Sequence, residues 1–337
     1  MRKLQVGLIG LVFALAGLIA GAQAPAPGGG AQAPAAGAAP AGQAPAAQAP
    51  GGRQGGARAG GQARGGGGGG RGRGAQQRPR KVLLAWADTR NGQAQHDFTS
   101  HALAIVERLG YESGLWDTYI RTDSHIIYNQ AQKTDGTPAS GGPSLGNVDG
   151  IFFLGHREAP INDQQKQELL AFVRGGKGFV AAHTGLTAFD SWDEFGEMVG
   201  AKYEGHLYTG PGQVFNEQPT NPIVKHFGNA FNYTDEFYKP KGLSREKVDV
   251  LLRFNPTSAP SSGLAADGDF PLVWSKNYGQ GRVVYSSFSH ATESWDQRNL
   301  QLMILEAIKW SLGLTDAPVQ PHAKRDAPAA ATQTAAQ

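Results

Sequence analysis

Short, uninterrupted apolar segments constrain the fold of this chain more than any other feature of its sequence. KVLLAWA (81–87), DGIFFLGH (149–156) and GFVAAH (178–183) lack the alternation of polar and apolar residues that a half-exposed strand shows. Runs of this kind are typical of β-strands that are covered on both faces. The sequence therefore predicts three buried strands with helices on either side of the sheet.

The segments between these strands have the apolar spacing of amphipathic helices. Residues 97–110 repeat apolar side chains at helical intervals, and we expect this helix to stop at Gly110. YESGLW (111–116) is then predicted as a strand. Residues 162–176 form a second predicted helix, with Asn162 as N-cap and a glycine at its C-terminus. Strands that alternate with helices favour an α/β fold with a doubly wound, mainly parallel, flavodoxin-like sheet.

The second half of the chain is less regular. Residues 201–270 are interpreted as an irregular β insert of short strands and loops beside the sheet. Strands are predicted at VDVLLRF (248–254), PLVWSKNY (271–278) and GRVVYSSFS (281–289), the last two joined as a hairpin. A final amphipathic helix is expected over residues 299–313.

The predicted folded domain, residues 81–314, is flanked by segments that cannot build a core. Residues 1–24 have a basic start, an apolar centre and an Ala-x-Ala end, which indicates a signal peptide and a periplasmic or secreted protein. An uncleaved membrane anchor is the alternative; after cleavage we expect no stable membrane insertion. Residues 25–80 are interpreted as a disordered Ala/Pro/Gly/Arg-rich linker, and residues 315–337 as a disordered tail.

Charge is distributed unevenly between linker and domain. The first 80 residues contain nine Lys and Arg and no acidic residue, whereas the remainder has 22 basic and 28 acidic residues. The Arg/Gly-rich end of the linker resembles tracts that bind RNA, but export favours a solvated spacer. We expect no nucleic-acid groove in the mildly acidic domain.

Histidines follow the predicted strands at one edge of the sheet. His96 lies in the loop after the first strand, and His156, His183 and His290 end later strands. Because ligands bind outside the carboxyl ends of parallel strands, these imidazoles are expected to meet in one cleft. Each histidine taken alone could equally bond a backbone carbonyl and be structural. Together they suit acid–base catalysis or a divalent metal such as zinc, with His156, His183 and His290 as candidate ligands.

GGKGFVAAHTG (175–185) has the form of a nucleophile elbow with His183 at its centre. Such a turn needs small neighbours two residues on either side, and Ala181 and Gly185 satisfy this requirement. We therefore expect His183 to be presented into the cleft as a catalytic residue or ligand.

Acidic and aromatic residues complete the predicted site. We assign Glu236 a catalytic role as base or ligand, and Glu293 the role of orienting the catalytic His290. Solvated loop charge, or capping of the last helix, is the structural alternative for these acids. Further residues are assigned to substrate binding: His96, His206, Asp235 and Tyr238.

Taken together, these segments resemble the ThuA-like (trehalose utilisation) family. The most specific parts are GGKGFVAAH, TDEFY and YGQGRVVYSSFSH, and the resemblance covers about residues 81–314. It implies the class I glutamine amidotransferase-like fold and a carbohydrate context. In amidotransferases of this fold the elbow carries a nucleophilic cysteine, so His183 stands in that position, with His290 and Glu293 near the partner pair. One departure is Ser289, where the family pattern leads us to expect glycine.

The chain contains no cysteine, so it cannot form a glutamyl thioester and is not a glutamine amidotransferase. The resemblance instead implies an enzyme that acts on a sugar or keto-sugar, with a metal-dependent hydrolase, isomerase or lyase among the options. We expect a small carbohydrate ligand and no nucleotide cofactor. A non-catalytic carbohydrate-binding module on the same scaffold is the main alternative, and a structural envelope protein is a third.

Overall fold

The computed structural model describes residues 79–90 and 96–327, and one sheet of nine strands organises them. In chain order the strands are β1 (Lys81–Trp86), β2 (Trp116–Arg121), β3 (Gly150–Phe153), β4 (Gly178–Ala182), β5 (Lys202–Asn216), β6 (Ala230–Lys241), β7 (Asp249–Asn255), β8 (Pro271–Tyr278) and β9 (Gly281–Ser286). The α-helices of these residues are α1 (Thr99–Ser113), α2 (Asp163–Arg174), α3 (Asp193–Val199) and α4 (Arg298–Ser311).

The sheet is mixed rather than mainly parallel. Its strand order is β2-β1-β3-β4-β9-β8-β7-β5-β6. The four pairings from β2 to β9 are parallel, and the four pairings from β9 to β6 are antiparallel. The tight turn between β8 and β9 requires this change, because so short a connection can join only antiparallel neighbours. The parallel half is thus the part that resembles the predicted α/β sheet.

Helices pack on both faces of the parallel half. Alternate residues of β1 fall into different core clusters: Leu83 and Ala85 contact the cluster that includes α1 and α4, whereas Leu84 and Trp86 contact the cluster that includes α2 and α3. Strand side chains point alternately to opposite faces, so a strand buried on both sides must be apolar throughout. This explains the uninterrupted apolar segments of the sequence.

The end of α1 differs from the sequence prediction. The predicted strand at residues 111–116 is wrong, because Tyr111 to Ser113 form the last turn of α1 and β2 starts only at Trp116. Gly114, with φ of 69°, is the left-handed cap that ends the helix. Gly110 lies inside the helix, and a side chain there would clash, because a Cβ would be 2.6 Å from Cδ1 of Trp116. The missing side chain leaves room for the Trp116 indole.

Two of the longest strands occupy the region predicted as an irregular insert. β5 and β6 pair along most of their length, with register shifts near Gly205 and Tyr208. They extend the main sheet through β7 rather than lying beside it. By contrast, the predicted strand at residues 271–278 coincides with β8, and Asn162 caps α2 by accepting a hydrogen bond from the backbone N–H of Gln165.

Residues 315–327 differ from the disordered tail expected from their composition. The indole N–H of Trp310 donates to the carbonyl oxygen of Ala317 (2.9 Å), and the backbone N–H of Gln320 donates to the buried carboxylate of Asp249 (3.1 Å). The ring Nε2 of His322 lies 3.1 Å from the carbonyl oxygen of Val250. These contacts hold the segment against β7, because a buried carboxylate needs hydrogen-bond donors.

The predicted signal peptide, almost the whole predicted linker and the last ten residues of the predicted tail lie outside the described residues. Within the described part of the chain, none of the helices combines the length and the apolar character needed to cross a bilayer.

Replacing Gly110 by alanine tests the packing of α1 on β2. Alanine favours a helix by about 1 kcal/mol over glycine, but the added methyl must displace the buried Trp116 indole, at about 1–3 kcal/mol. We expect Gly110→Ala to be destabilised by about 1 kcal/mol in urea unfolding. Glu107→Ala, an exposed position of the same helix, is the control and should change stability by less than about 0.5 kcal/mol. A more stable Gly110→Ala protein would contradict the packing argument.

Candidate functional site

The centre of the site is His183, which directly follows β4. Its backbone has φ of 38°, a left-handed conformation that is unusual for a residue with a side chain, and its imidazole is fully buried. A Cβ on Gly185 would lie 3.0 Å from the Cβ of Ala181, so the small residues predicted for an elbow are needed for close packing. The turn thus presents His183 at the carboxyl end of the parallel strands.

A hydrogen bond fixes the tautomer of His183. Its Nδ1 lies 2.8 Å from the carbonyl oxygen of Ser287, just after β9. A carbonyl oxygen can only accept, so Nδ1 carries the proton, and in the neutral ring the lone pair is on Nε2. Histidines that bind metals commonly donate their second ring N–H to a backbone carbonyl in this way.

The lone pair of His183 points at two other side chains. Its Nε2 lies 3.3 Å from Nδ1 of His290 and 3.5 Å from Oε2 of Glu236, and these two atoms are 3.0 Å apart. One ring nitrogen of His96 completes a group whose four candidate ligand atoms all lie within 4.8 Å of one another. We call His96, His183, Glu236 and His290 the histidine–glutamate cluster.

The spacing of three of these candidate ligand atoms, those of His183, Glu236 and His290, matches that of metal ligands. For bonds of about 2.0–2.1 Å in a tetrahedral site, neighbouring ligand atoms are separated by about 3.3 Å. Without a metal, a proton on one of these three atoms must separate the lone pairs of His183 Nε2, His290 Nδ1 and Glu236 Oε2. The donor set, imidazole nitrogens with one carboxylate oxygen, suits zinc or a similar divalent ion.

The cluster shifts the titration of its own members. Burial first, and then the neighbouring imidazoles of His183, His156 and His290, lower the pKa of His96 to about 4 against the raising effect of Glu236. Burial alone would raise the pKa of Glu236, but the imidazoles of His183, His290 and His206 hold it below its usual value. Near neutral pH the site therefore combines a carboxylate with a neutral His96, the forms that bind a cation.

Residues of β6 support the cluster from behind. The ring of Tyr238 stacks on His183 with centroids 4.1 Å apart, and Tyr238 is 2% exposed. Asp235 is also buried, and its carboxylate accepts hydrogen bonds from the backbone N–H groups of Ser289 and His290. β6 is an edge strand of the sheet, yet it contacts the segment after β9, where the backbone N–H of Tyr238 donates to Oγ of Ser287 and Asp235 accepts from Ser289.

A cavity of about 590 Å³ opens in front of the cluster. Its lining residues are His96, Asp97, His156, His290, Ala291, Thr292 and Glu293. The volume lies within the range of small-molecule sites. His206, on β5, is half-exposed, and its Nε2 lies 3.4 Å from Oε1 of Glu236. A solvent-accessible imidazole beside a partly buried carboxylate is suited to exchange protons with a ligand.

The structure brings most of the predicted site residues together, but the members of the candidate ligand group and the carboxylate partner of His290 differ from the prediction. The ring of His156 lies 5.2 Å from that of His96, outside the four-ligand group, while His96 rather than His156 joins His183 and His290. Glu293 is exposed in the cavity lining, and the carboxylate beside His290 is that of Glu236. Asp235 and Tyr238, for which substrate-binding roles are predicted, both lie buried behind the cluster.

Sequence reasoning missed Ser287 and Tyr203. Ser287 accepts the His183 hydrogen bond, and its Oγ accepts one from the backbone N–H of Tyr238 (2.8 Å). Tyr203 lies with its ring 4.8 Å from that of Tyr238. The run of serines that precedes His290 was an available signal for Ser287, since such residues bond nearby backbone groups.

The low pKa of His96 predicts that the stability of the folded protein depends on pH. Unfolded His96 binds a proton below pH 6.5, whereas the folded protein resists protonation until about pH 4. Stability of the metal-free protein should therefore fall as the pH drops from about 6.5 to about 4, through this residue. We expect His96→Gln to lose part of this acid sensitivity in denaturant unfolding across that range. Equal pH slopes in the two proteins would contradict the depressed pKa. His125→Gln serves as control, because the His125 ring lies outside the cluster, with its Nε2 2.9 Å from the carbonyl oxygen of Gln132.

Comparisons with known proteins agree with this architecture. The sequence matches the ThuA family, described as trehalose utilisation, over residues 81–311. A ThuA-like protein from Bacteroides uniformis ATCC 8492 superposes with a TM-score of 0.55 at 20% identity, covering 69% of this chain and 91% of that chain. A ThuA-like protein from Parabacteroides merdae ATCC 43184 gives 0.54 at 17% identity, covering 71% and 93%. No curated protein sequence matches the chain.

At these identities the two solved structures show a shared fold and nothing further. They place the mixed α/β sheet among ThuA-like proteins, consistent with the class I glutamine amidotransferase-like fold. The family match spans well over half of the chain and includes every residue of the histidine–glutamate cluster. The chain therefore belongs to the ThuA family of trehalose utilisation.

Proposed function

We propose that this protein is an exported enzyme that acts on a sugar or keto-sugar with the aid of a divalent metal ion held by the histidine–glutamate cluster. The observation that carries the proposal is the approach of His183 Nε2, His290 Nδ1 and Glu236 Oε2 to 3.0–3.5 Å of one another. Nitrogen and oxygen lone pairs repel at that separation unless a cation or proton lies between them.

The family match supports a sugar as the substrate. ThuA is described as trehalose utilisation, and a cavity of about 590 Å³ in front of the cluster has room for a sugar-sized ligand. The cavity is lined by polar and ionisable groups, among them His156, Thr292 and Glu293, which can bond hydroxyl groups. The sequence of residues 1–24 supports action in the periplasm or outside the cell.

The residues of the site have distinct tasks in this proposal. His96, His183, His290 and Glu236 would hold the metal, which when bound polarises a sugar carbonyl or hydroxyl. Ser287 orients His183, and Tyr238 closes the rear of the site against water. His206 reaches solvent on one side and Glu236 on the other, so it can accept or return a proton at the substrate. This arrangement suits a hydrolase, isomerase or lyase reaction.

Metal content is the first test. We expect protein purified without chelator to contain about one zinc or manganese ion per chain by plasma mass spectrometry. His290→Ala and Glu236→Gln each remove one ligand and should weaken metal binding more than about 100-fold, since even loss of an outer-shell partner costs 10–100-fold. His226→Ala, whose Nε2 instead lies 2.8 Å from the carbonyl oxygen of Asn299, is the matched control. A metal-free wild type that ignores added Zn²⁺ and Mn²⁺ contradicts the proposal.

Turnover is the second test and separates an enzyme from a binding module. Keto-disaccharides and related glycosides are incubated with metal-loaded protein, and products are followed by mass spectrometry while calorimetry measures binding. We expect conversion by the wild type and a loss of about 100-fold or more in His206→Gln, which keeps the metal ligands intact. Ligands that bind with a measurable affinity but stay chemically unchanged would identify a carbohydrate-binding module instead.

A further inference from the structure

The turn that carries His290 is held in an unfavourable conformation. Ser289, the residue before it, has φ of 90°, in the region where residues with a Cβ are rare. Ser289 is 1% exposed, and its Oγ has no hydrogen-bond partner among the described residues. A strained backbone and an unsatisfied buried hydroxyl both disfavour this turn, so another interaction must stabilise it.

That interaction comes from Asp235 on β6. Its Oδ2 accepts the backbone N–H of Ser289 (2.6 Å), and its Oδ1 accepts the backbone N–H of His290 (3.0 Å). The same Oδ1 accepts the N–H of Glu236, also at 3.0 Å. Hydrogen bonds to a buried carboxylate are among the stronger ones in proteins, and two of these three fix a turn whose backbone is strained.

The two residues tied together are both members of the histidine–glutamate cluster. Glu236 follows Asp235 in β6, and His290 follows Ser289 after β9, so one carboxylate joins the backbones of two candidate ligands from distant segments. Nδ1 of His290 and Oε2 of Glu236 lie 3.0 Å apart as a result. A small rotation of the turn would separate these atoms.

We propose that Asp235 is a positioning residue, which holds the strained Ser289–His290 turn so that Nδ1 of His290 faces Glu236 and His183. The expected effect of Asp235 on metal affinity rests on the proposed function, whereas its stabilisation of the Ser289–His290 turn does not. A direct role in substrate binding does not fit Asp235, because it is 6% exposed and both of its oxygens accept backbone N–H groups.

Asp235→Asn is the primary variant. Asparagine keeps the shape of the side chain but replaces one acceptor oxygen by an NH₂ group that faces a backbone N–H. We expect amide hydrogen exchange of Ser289 and His290 in metal-free protein, followed by NMR, to accelerate at least about tenfold. Metal affinity should fall about 10–100-fold, the effect typical of residues that orient a ligand, and the visible spectrum of the Co²⁺-loaded protein should change.

Asp249→Asn is the matched control. Asp249 is as deeply buried and also accepts a backbone N–H, that of Gln320, but it lies outside the cluster. We expect this variant to lose stability without a change in metal affinity or in the Co²⁺ spectrum.

Ser289→Gly tests the strain directly. Glycine adopts the positive φ freely, so a turn with glycine needs less support. In the Ser289→Gly background the loss of metal affinity caused by Asp235→Asn should be at least about threefold smaller than in the wild type, a coupling that a double-mutant cycle measures. This background also serves if Asp235→Asn alone does not fold: Asp235→Asn/Ser289→Gly is then compared with Ser289→Gly, and unequal affinities are expected.

The outcomes separate this inference from the proposed function. If the wild type binds no metal, the proposed function fails, while amide exchange in Asp235→Asn still decides the role of the carboxylate in holding the turn. Unchanged exchange of both amides overturns the inference. So does a metal-binding wild type whose Asp235→Asn variant keeps the same affinity and Co²⁺ spectrum.

Discussion

The hydrogen bond from His183 to the carbonyl oxygen of Ser287 determines what the site can do. It joins the ends of β4 and β9, which are neighbours in the sheet, and it places the proton of the imidazole on Nδ1. The remaining lone pair on Nε2 then points away from the sheet towards Glu236 and His290. Without this bond the ring could rotate or change tautomer, and a buried imidazole would have no defined function.

The site combines several features that each oppose folding. His183 and Ser289 have positive φ, Asp235 is a carboxylate buried behind the cluster, and His96 resists protonation, which costs stability below about pH 6.5. Such costs persist in proteins mainly where function requires them. Here they are concentrated within one cluster and compensate one another, because the N–H groups of the strained turn are the donors that the buried Asp235 needs.

Sequence reasoning could predict the parts of the fold that depend on local patterns. β8 and the cap of α2 follow from hydrophobic runs and from one asparagine, and the histidines at strand ends could be placed together because parallel strands end at one edge. The predicted α1 is too short because Gly110 has the pattern of a helix stop. Gly110 instead leaves space for the Trp116 indole, a contact that no local pattern reveals.

The antiparallel half was harder to predict for a similar reason. Glycines interrupt the alternation of β5, and one of them, Gly212, is required because a Cβ would lie 2.6 Å from Cζ of Phe254. The pairing of His290 with Glu236 instead of Glu293 depends on contacts between β6 and the segment after β9, which are far apart in the sequence. Proximity in sequence favoured Glu293, but the distant strand β6 supplies the nearer carboxylate.

The position of His183 also explains how this scaffold differs from the amidotransferases that it resembles. An elbow exposes its central side chain to a substrate, which suits a nucleophile. His183 is fully buried, and its free nitrogen faces a carboxylate and a second imidazole rather than the cavity. Its lone pair is therefore available to a small cation inside the cluster but not to an electrophilic carbon. In the proposed function, the strained turn that presents a cysteine in those enzymes would instead fix the direction of a metal ligand, and proton transfer would fall to other groups, such as the half-exposed His206 beside Glu236.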